Sequence, residues 1–288
     1  MSPDDVMIVV IAGLLSTSCA VLGGFLVLRG QALLPDAVSH AVLPGIVLIF
    51  LLTGERATLW TVVGATAFGV LCVLGSDWLR RTGVVESDAA LALVFPALFS
   101  LGILGISRFA SGAHIDLDSA IYGDLTFAPL RTVSLFGADV PQSLVVTGLA
   151  TVAVVALVVV LWRPLQAAAF DPAFAELAGL RGRLIGQVLL VAVAGLAVVA
   201  FDSVGAILVI TFFVVPASTA RLLTARLGTM LVVAALCGWV ASIAGHTVAV
   251  SADTSIPGTI GLASGALFVL ALLFAPRRGL LTRRRATP

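Results

Sequence analysis

Lysine is absent from this chain of 288 residues, and charged residues of all kinds make up only 11% of it. Soluble globular domains are about a quarter charged, so the sequence excludes an ordinary soluble domain. The missing lysine also excludes a P-loop of the GxxxxGK[ST] form and Schiff-base chemistry, because both depend on a lysine amine. If ATP drives this protein, another chain must therefore bind and hydrolyse it.

Cysteine is also scarce, and the three cysteines stand in three separate apolar stretches with no CxxC pair. This spacing predicts small buried hydrophobic side chains at Cys19, Cys72 and Cys237, with neither a disulfide nor a metal cluster. The chain begins with the acidic residues Asp4 and Asp5, where a secretory signal peptide would be basic. We therefore expect no secretory signal at this end.

Apolar residues are abundant: they form 60% of the chain and fall into runs of membrane-spanning length. A helix needs about 20 apolar residues to cross about 30 Å of hydrocarbon. We predict a single domain over residues 1–288, an all-α integral membrane protein of about nine spans, with eight to ten compatible with the pattern. The second span is the weakest candidate, because it contains Asp36, Ser39, His40 and two prolines, and the break between the sixth and seventh spans rests only on Asp202-Ser203. The predicted spans are 6–28, 31–52, 57–79, 88–107, 141–162, 184–201, 204–222, 229–250 and 256–275.

Arginine placement predicts the orientation of these spans, because loops rich in arginine stay on the cytoplasmic side. With the N-terminus outside, all but three of the sixteen basic residues fall at cytoplasmic ends. The three exceptions are Arg56, Arg108 and Arg131. The C-terminus is then cytoplasmic, with a basic tail over 277–288. The net charge of +1 gives no reason to expect a nucleic-acid partner.

Two segments between spans are long enough to carry function. Residues 163–183 fall on the cytoplasmic side, where Asp171-Pro172 fits an N-cap and first helical residue and Gly179 fits the end of a short helix. This segment is either a plain amphipathic connector or a docking surface for a soluble partner. Residues 108–140 form a mixed extracytoplasmic loop that we expect to pack on the mouth of the bundle.

The chain offers a carboxylate and an imidazole together inside a span at Asp36-Ala-Val-Ser-His40. The i, i+4 spacing places both side chains on one helix face. In a helix unbroken from Arg29, Asp36 would lie about 10 Å and His40 about 16 Å deep, near mid-membrane. An oxygen and a nitrogen ligand suit Mn²⁺, Fe²⁺ or Zn²⁺, and a two-fold dimer would complete a four-ligand site on its axis. The alternatives are a hydrogen bond between Asp36 and His40 that holds this helix to its neighbour, or a proton relay.

Other polar residues give weaker signals. His246 is interpreted as a packing histidine, and Glu86 and Asp88 as residues that cap a helix N-terminus. In the predicted outer loop, His114, Asp116 and Asp118 alternate and could contact a passing cation, although a solvated loop is the favoured interpretation. The sequence Gly261-Leu-Ala-Ser-Gly265 is a GxxxG pattern that marks a close helix contact, either within the bundle or between subunits.

The stretch Asp36-Ala-Val-Ser-His-Ala-Val-Leu-Pro-Gly45 closely resembles the signature of the ABC-3 metal permease family, the membrane subunits of bacterial ABC importers for manganese, zinc and iron. Further blocks resemble the family in the same order along essentially the whole chain: Glu86-Ser-Asp-Ala-Ala-Leu-Ala-Leu-Val-Phe95, Asp116-Leu-Asp118 with Tyr122-Gly-Asp124, Phe170-Asp-Pro-Ala-Phe-Ala175, Val204-Gly-Ala-Ile-Leu-Val209, Pro216-Ala-Ser-Thr-Ala220 and Phe274-Ala-Pro276.

The resemblance implies a multi-pass permease of the bacterial inner membrane that works as a homodimer or heterodimer. It implies two cytoplasmic ATP-binding subunits and an extracytoplasmic metal-binding protein as partners. The metal would be a transported substrate, with no permanently bound cofactor. The family's coordinating residues correspond to Asp36 and His40. The family's coupling helix, which seats in the ATPase, corresponds to Phe170, Asp171, Pro172, Ala173 and Phe174.

Arg221 departs from the family pattern, which has an uncharged residue there, and we expect it to follow the positive-inside bias. A proton-coupled secondary metal transporter or channel, with Asp36 and His40 as the relay, is the main alternative function. A membrane metallohydrolase would need more ligands than three scattered histidines supply. A siderophore or cobalamin permease would not need the Asp–His pair. The chain itself is not expected to be an enzyme.

Overall fold

The structure is a computed structural model that describes residues 3–53, 58–109, 125, 132–135, 138–170, 172–177, 179–276 and 279–283. Helices dominate these described ranges. They are α1 Pro3–Leu28, α2 Leu34–Ala41, α3 Leu43–Thr53, α4 Thr58–Arg81, α5 Ser87–Phe109, α6 Gln142–Val160, α7 Trp162–Phe170, α8 Pro172–Leu177, α9 Gly182–Val204, α10 Ala206–Leu223, α11 Leu227–Ala252, α12 Ile256–Phe274 and α13 Leu280–Arg283.

Within the described residues, nine helical segments are long and apolar enough to cross a membrane, with α2 and α3 together forming one of them. The predicted all-α membrane architecture and its nine spans are therefore confirmed. The predicted outer loop also contains two short strands, β1 Thr132–Leu135 and β2 Ala138–Pro141, which pair antiparallel with Thr132 opposite Pro141. The residues His114, Asp116 and Asp118 lie outside the described ranges.

Helix α1 forms the centre of the bundle and packs against α6, α9, α10 and α11. Its side chain Phe25 is fully buried, as are Phe212 and Phe213 of α10. A second group consists of α2, α3, α4 and α5, and α9 contacts both α2 and α4 in this group as well as α1. Helix α9 therefore joins the two halves of the fold.

Small residues allow the helix backbones to approach closely. A methyl group at Gly23 of α1 would overlap the Phe213 carbonyl group, and one at Gly45 of α3 would overlap the Gly64 carbonyl group of α4. In a bilayer, such close packing replaces the hydrophobic driving force between helices. In the GxxxG pattern, a methyl group at Gly265 would meet no described atom within 4 Å. The close contacts of this fold therefore lie elsewhere.

Two span boundaries differ from the sequence prediction. The predicted span 31–52 is broken into α2 and α3 at Val42, because Pro44 has no N–H and its ring clashes with the carbonyl group four residues earlier. Helix α9 continues through Asp202-Ser203, and the break before α10 comes at Gly205. Gly205 has a φ of 81°, a conformation that glycine adopts without steric penalty.

Candidate metal centre

A tight turn after α1 sets the start of the site. Gly30 has a φ of 68°, its N–H donates to the Val27 carbonyl, and the Gln31 N–H donates to the Leu26 carbonyl. This pair of bonds is the Schellman ending of a helix, in which a glycine takes the left-handed position. The chain then enters α2 at Leu34 with Pro35 near its start, where proline fits because it needs no hydrogen-bond partner.

The structure brings Asp36 and His40 together on α2, as predicted from their spacing. The Asp36 Oδ1 and His40 Nε2 atoms are 3.6 Å apart, and their side chains are 39% and 48% exposed. The His40 ring contacts two aromatic rings of α5, with centroid distances of 6.1 Å to Phe95 and 5.9 Å to Phe99. The pair therefore lies on an open face of the single chain beside α5.

The path from Arg29 to the pair is not the unbroken helix on which the expected depths depend. Helix α2 begins only at Leu34, because residues 29–33 form the turn. Along the axis, Asp36 is about 3 Å and His40 about 9 Å beyond Leu34, at 1.5 Å per residue. The depths of about 10 Å and 16 Å expected for a helix continuous from Arg29 do not apply.

Packing fixes the buried side of α2. Val38 is fully buried, and it lies so close to Gly69 of α4 that a methyl group there would be 3.1 Å from Val38 Cγ1. At the other end of α2, a methyl group on Gly102 of α5 would lie 2.9 Å from the Pro44 nitrogen. Helix α2 is thus packed against α4, α5 and α9, and its face with Asp36 and His40 remains open.

This arrangement can bind a metal through two ligands of one ion. Two ligands at 2.0–2.1 Å in tetrahedral geometry stand about 3.4 Å apart, close to the 3.6 Å between the Asp36 and His40 atoms. In the described part of the chain, no group of three or more His, Cys, Asp or Glu side chains could hold a metal ion. The remaining ligands of an ion held by Asp36 and His40 would therefore be water or groups other than the described side chains of one chain.

A charged cluster close to α2 was missed by the sequence analysis. Asp77 of α4 is buried and accepts hydrogen bonds from Arg80 Nη2 at 2.8 Å and from Arg81 Nε at 2.7 Å. The i+3 and i+4 spacings of this triad are visible in the sequence and could have revealed it. Burial lowers the pKa of Arg29, as do the neighbouring Arg80 and Arg81, whereas Asp77 opposes this shift.

This cluster borders a small cavity at the start of α2. The cavity has a volume of about 20 Å³ and its lining includes Gln31, Asp77, Arg80 and Asp88. Such a volume is about the size of one water molecule. Asp88 lies in the first turn of α5, which agrees with the predicted helix-capping position.

Several arginines meet at the same end of the bundle, which we call the arginine-rich end. The guanidinium group of Arg29 lies against Gly186 of α9, where an added methyl group would be 3.0 Å from Nη2. Arg221 of α10 donates from Nη1 to the Val27 carbonyl of α1 at 3.2 Å. A cation at a helix C-terminus is favourable for its dipole and orphan carbonyl groups. This contact gives the unexpected Arg221 a structural role.

The segment 163–183 lies beside the arginine-rich end, because α7 and α8 both pack against α9. Helix α8 begins at Pro172 and the chain turns at Gly179, as predicted, while Asp171 lies outside the described residues. Phe170 is 59% exposed at the end of α7. A surface depression of about 470 Å³ beside α8 is lined by Glu176, Gly179, Arg181, Arg183, Leu184 and Gln187.

Arg181, which lines this depression, has a strained backbone conformation. Its φ of 46° lies in the left-handed region, which is uncommon for residues other than glycine. It immediately precedes Gly182, the first residue of α9. The turn between α8 and α9 is therefore tight, and strain of this kind often accompanies functional segments.

His246, expected to be a packing histidine, is indeed buried, with only 1% of its side chain exposed. Its Nε2 atom lies 3.5 Å from Asp5 Oδ1, across the contact between α1 and α11. The two residues are 241 positions apart in the chain, and no local pattern connects them. Sequence reasoning therefore gave no signal for this second Asp–His pair.

Comparison with known proteins gives consistent matches over nearly the whole chain. The zinc transport system membrane protein TroD of Treponema pallidum is 41% identical over 96% of this chain and 75% of its own length. The manganese transport system membrane protein MntD of Bacillus subtilis is 37% identical over 95% of this chain and 93% of its own.

A solved structure agrees with the sequence relatives. The structure of PsaBC from Streptococcus pneumoniae in complex with Fab contains a chain that matches with a TM-score of 0.77 and 25% identity, over 96% of this chain and 94% of that one. The apolar helices and the transport-system relatives identify a multi-pass protein of a bacterial inner membrane. The family described as "ABC 3 transport family" matches residues 5–275, and the chain belongs to this family.

Proposed function

We propose that the chain is the permease subunit of an ATP-driven importer for divalent transition metal ions, with Mn²⁺, Zn²⁺ or Fe²⁺ as substrate. The names of the relatives support zinc and manganese. The chain has no lysine and hence no P-loop, so ATP hydrolysis belongs to cytoplasmic partner subunits. The permease converts their nucleotide cycle into alternating access to a metal site.

The observation that carries this proposal is the exposure of Asp36 and His40 on one face of α2. Ionisable side chains within a membrane normally face protein or water, because a charge in lipid costs about 3 kcal/mol or more. An open Asp–His pair on a membrane protein therefore calls for another surface to cover it. A second copy of the chain supplies that surface and two more ligands, so that a dimer axis carries a four-ligand site.

The orientation follows from the charges of the arginine-rich end. Arginine-rich ends stay in the cytoplasm, so the N-terminus is outside and the turn at Gly30 faces inwards. Metal arrives at the opposite end, delivered by an extracytoplasmic metal-binding protein. His114, Asp116 and Asp118 belong to the outer segment and are proposed as contacts on the entry path.

The ATP-binding subunit docks on the segment 163–183. The exposed Phe170 and the depression beside α8 support this assignment. Phe170 begins the sequence block that resembles the family's coupling helix, which continues through Asp171, Pro172, Ala173 and Phe174. Because α9 packs against α7, α8 and α2, a movement of this segment reaches the helix that carries Asp36 and His40.

The test is uptake of isotopic Mn²⁺, Zn²⁺ and Fe²⁺ by proteoliposomes that contain the permease, its ATP-binding subunits and its binding protein. Asp36→Ala and His40→Ala are expected to abolish uptake while the complex still assembles. Asp4→Ala, which removes an exposed carboxylate at the other end of the bundle, is the matched control and should transport normally. Normal uptake by the Asp36→Ala and His40→Ala variants disproves the metal site. Uptake without ATP hydrolysis shows that the protein is a secondary transporter and not an ATP-driven importer.

A further inference from the structure

The second Asp–His pair lies far from α2, at the end of the bundle opposite the arginine-rich end. Asp5 is in the first turn of α1, and His246 is in the last third of α11. The Asp5 Oδ1 to His246 Nε2 distance of 3.5 Å nearly equals the 3.6 Å of the pair on α2. Both separations suit two ligands of one tetrahedral ion, which stand about 3.4 Å apart.

The imidazole of His246 is buried and makes no hydrogen bond within the described part of the chain. Only 1% of the side chain is exposed, and neither ring nitrogen has a hydrogen-bond partner among the described residues. Buried polar atoms are nearly always satisfied, and a water or an ion at that position is one explanation of an exception. The side chain of Asp5 is 25% exposed, so the pair can be reached from solvent.

The contact between α1 and α11 holds the two side chains in place. Methyl groups at Gly13 and Gly238 would collide with Trp239 and Ser16 across this contact. The Trp239 Nε1–H also donates to Thr17 Oγ1 at 3.0 Å. These close approaches fix the register of the two antiparallel helices and therefore the distance between Asp5 and His246. A site on such rigid elements is preorganised for a ligand.

The other side of His246 is also fixed. Its neighbour Gly245 lies against α12, where a methyl group would be 2.6 Å from the Ile260 nitrogen. Helix α11 is thus clamped between α1 and α12, and the imidazole has little freedom to turn towards another partner. Its Nε2 atom is available on the side that faces the carboxylate.

We propose that Asp5 and His246 form a second binding site for a divalent transition metal ion. A carboxylate oxygen and an imidazole nitrogen are ligands for Zn²⁺, Mn²⁺, Fe²⁺ or Co²⁺, and water completes the coordination sphere. With two protein ligands the site binds weakly and releases easily, as a conduction pathway requires. Its role as an entry site, loaded before Asp36 and His40, rests on the proposed function, whereas the metal binding does not.

The test is a Co²⁺ titration of the tag-free, full-length permease in nanodiscs, followed by the visible absorbance of bound Co²⁺. The double variant Asp36→Ala/His40→Ala removes the site on α2 and is expected to keep about one Co²⁺ per chain. Adding Asp5→Asn or His246→Gln is expected to weaken the remaining binding at least tenfold. Asp4→Asn is the matched control and should bind like its parent.

The proposal is wrong if the double variant binds no Co²⁺, or if neither Asp5→Asn nor His246→Gln changes its binding. In that case the pair is only a contact between two helices. Gel filtration and the melting temperature show whether each variant folds. If His246→Gln does not fold, Asp5→Asn still tests the site, because Asp5 is only partly buried. The proposed function fails separately, when the wild type binds no more Co²⁺ than the double variant or its uptake does not need ATP.

Discussion

Replacement of Gly45 by alanine tests whether the contact between α3 and α4 holds α2 in place. The added methyl group would overlap the Gly64 carbonyl oxygen and lie 2.6 Å from the Gly64 carbonyl carbon and 2.9 Å from the Ala65 nitrogen. All three are backbone atoms, so no side-chain rotation relieves the overlap. The two helices must separate by about 1 Å to restore ordinary contact distances.

The magnitude follows from two opposing effects. Overpacking a close contact costs about 1–3 kcal/mol, while alanine in place of glycine favours a helix by about 1 kcal/mol. Gly148 of α6 provides the control, because a methyl group there meets no described atom within 4 Å. Gly148→Ala therefore gains only the higher helix preference of alanine. The free energies of unfolding of the two variants should then differ by about the full cost of overpacking.

The assay is thermal unfolding of the purified permease in one detergent. At about 2–4 °C per kcal/mol, an overpacking cost of about 1–3 kcal/mol means that Gly45→Ala should melt roughly 2–12 °C below Gly148→Ala. Gly45→Ala should also weaken metal binding, because the joint between α2 and α3 moves. If both variants melt within about 1 °C of each other, the contact between Gly45 and Gly64 does not hold α2 in place.

Two further predictions concern charged residues. Asp77→Asn should destabilise the fold by roughly 1–3 kcal/mol, because the amide keeps only one of the two acceptor oxygens and removes the buried negative charge beside Arg80 and Arg81. A melting temperature equal to that of the wild type contradicts this. Arg221→Ala should cost about 0.5–1 kcal/mol through the lost helix-end contact and leave isotopic metal uptake near normal, whereas lost uptake would make Arg221 part of a gate.

The span count could be predicted because bilayer thickness fixes helix length. The apolar run 229–250 is recognisable as a membrane span from its composition alone, and α11 extends only a few residues beyond it at each end. The interruption at Val42 was not predicted, although Pro44 was visible, because a proline can bend a membrane helix or break it. The packing around Gly64 and Gly102 that accompanies the break is not visible in the sequence.

In the candidate sites, residue pairs close in the sequence could be predicted, whereas pairs that packing brings together could not. Asp36 and His40 could be paired from the sequence because one helical turn separates them. The Asp77–Arg80–Arg81 triad follows the same local rule and could have been found. The pairing of Asp5 with His246 could not, because it depends on which two helices meet and in what register. Whether Asp36 faces lipid or a partner depends on packing beyond one chain.

The brevity of α2 has a consequence for how a bound ion is released. The helix has eight residues, and both candidate ligands lie on one of its faces. With side-chain tips about 5–6 Å from the helix axis, a rotation of about 30° carries both ligand atoms sideways by about 3 Å. That displacement exceeds the length of a metal–ligand bond, about 2 Å. A small turn of α2 would therefore break both bonds of an ion held at the proposed site, so that the two ligands of one chain release it together.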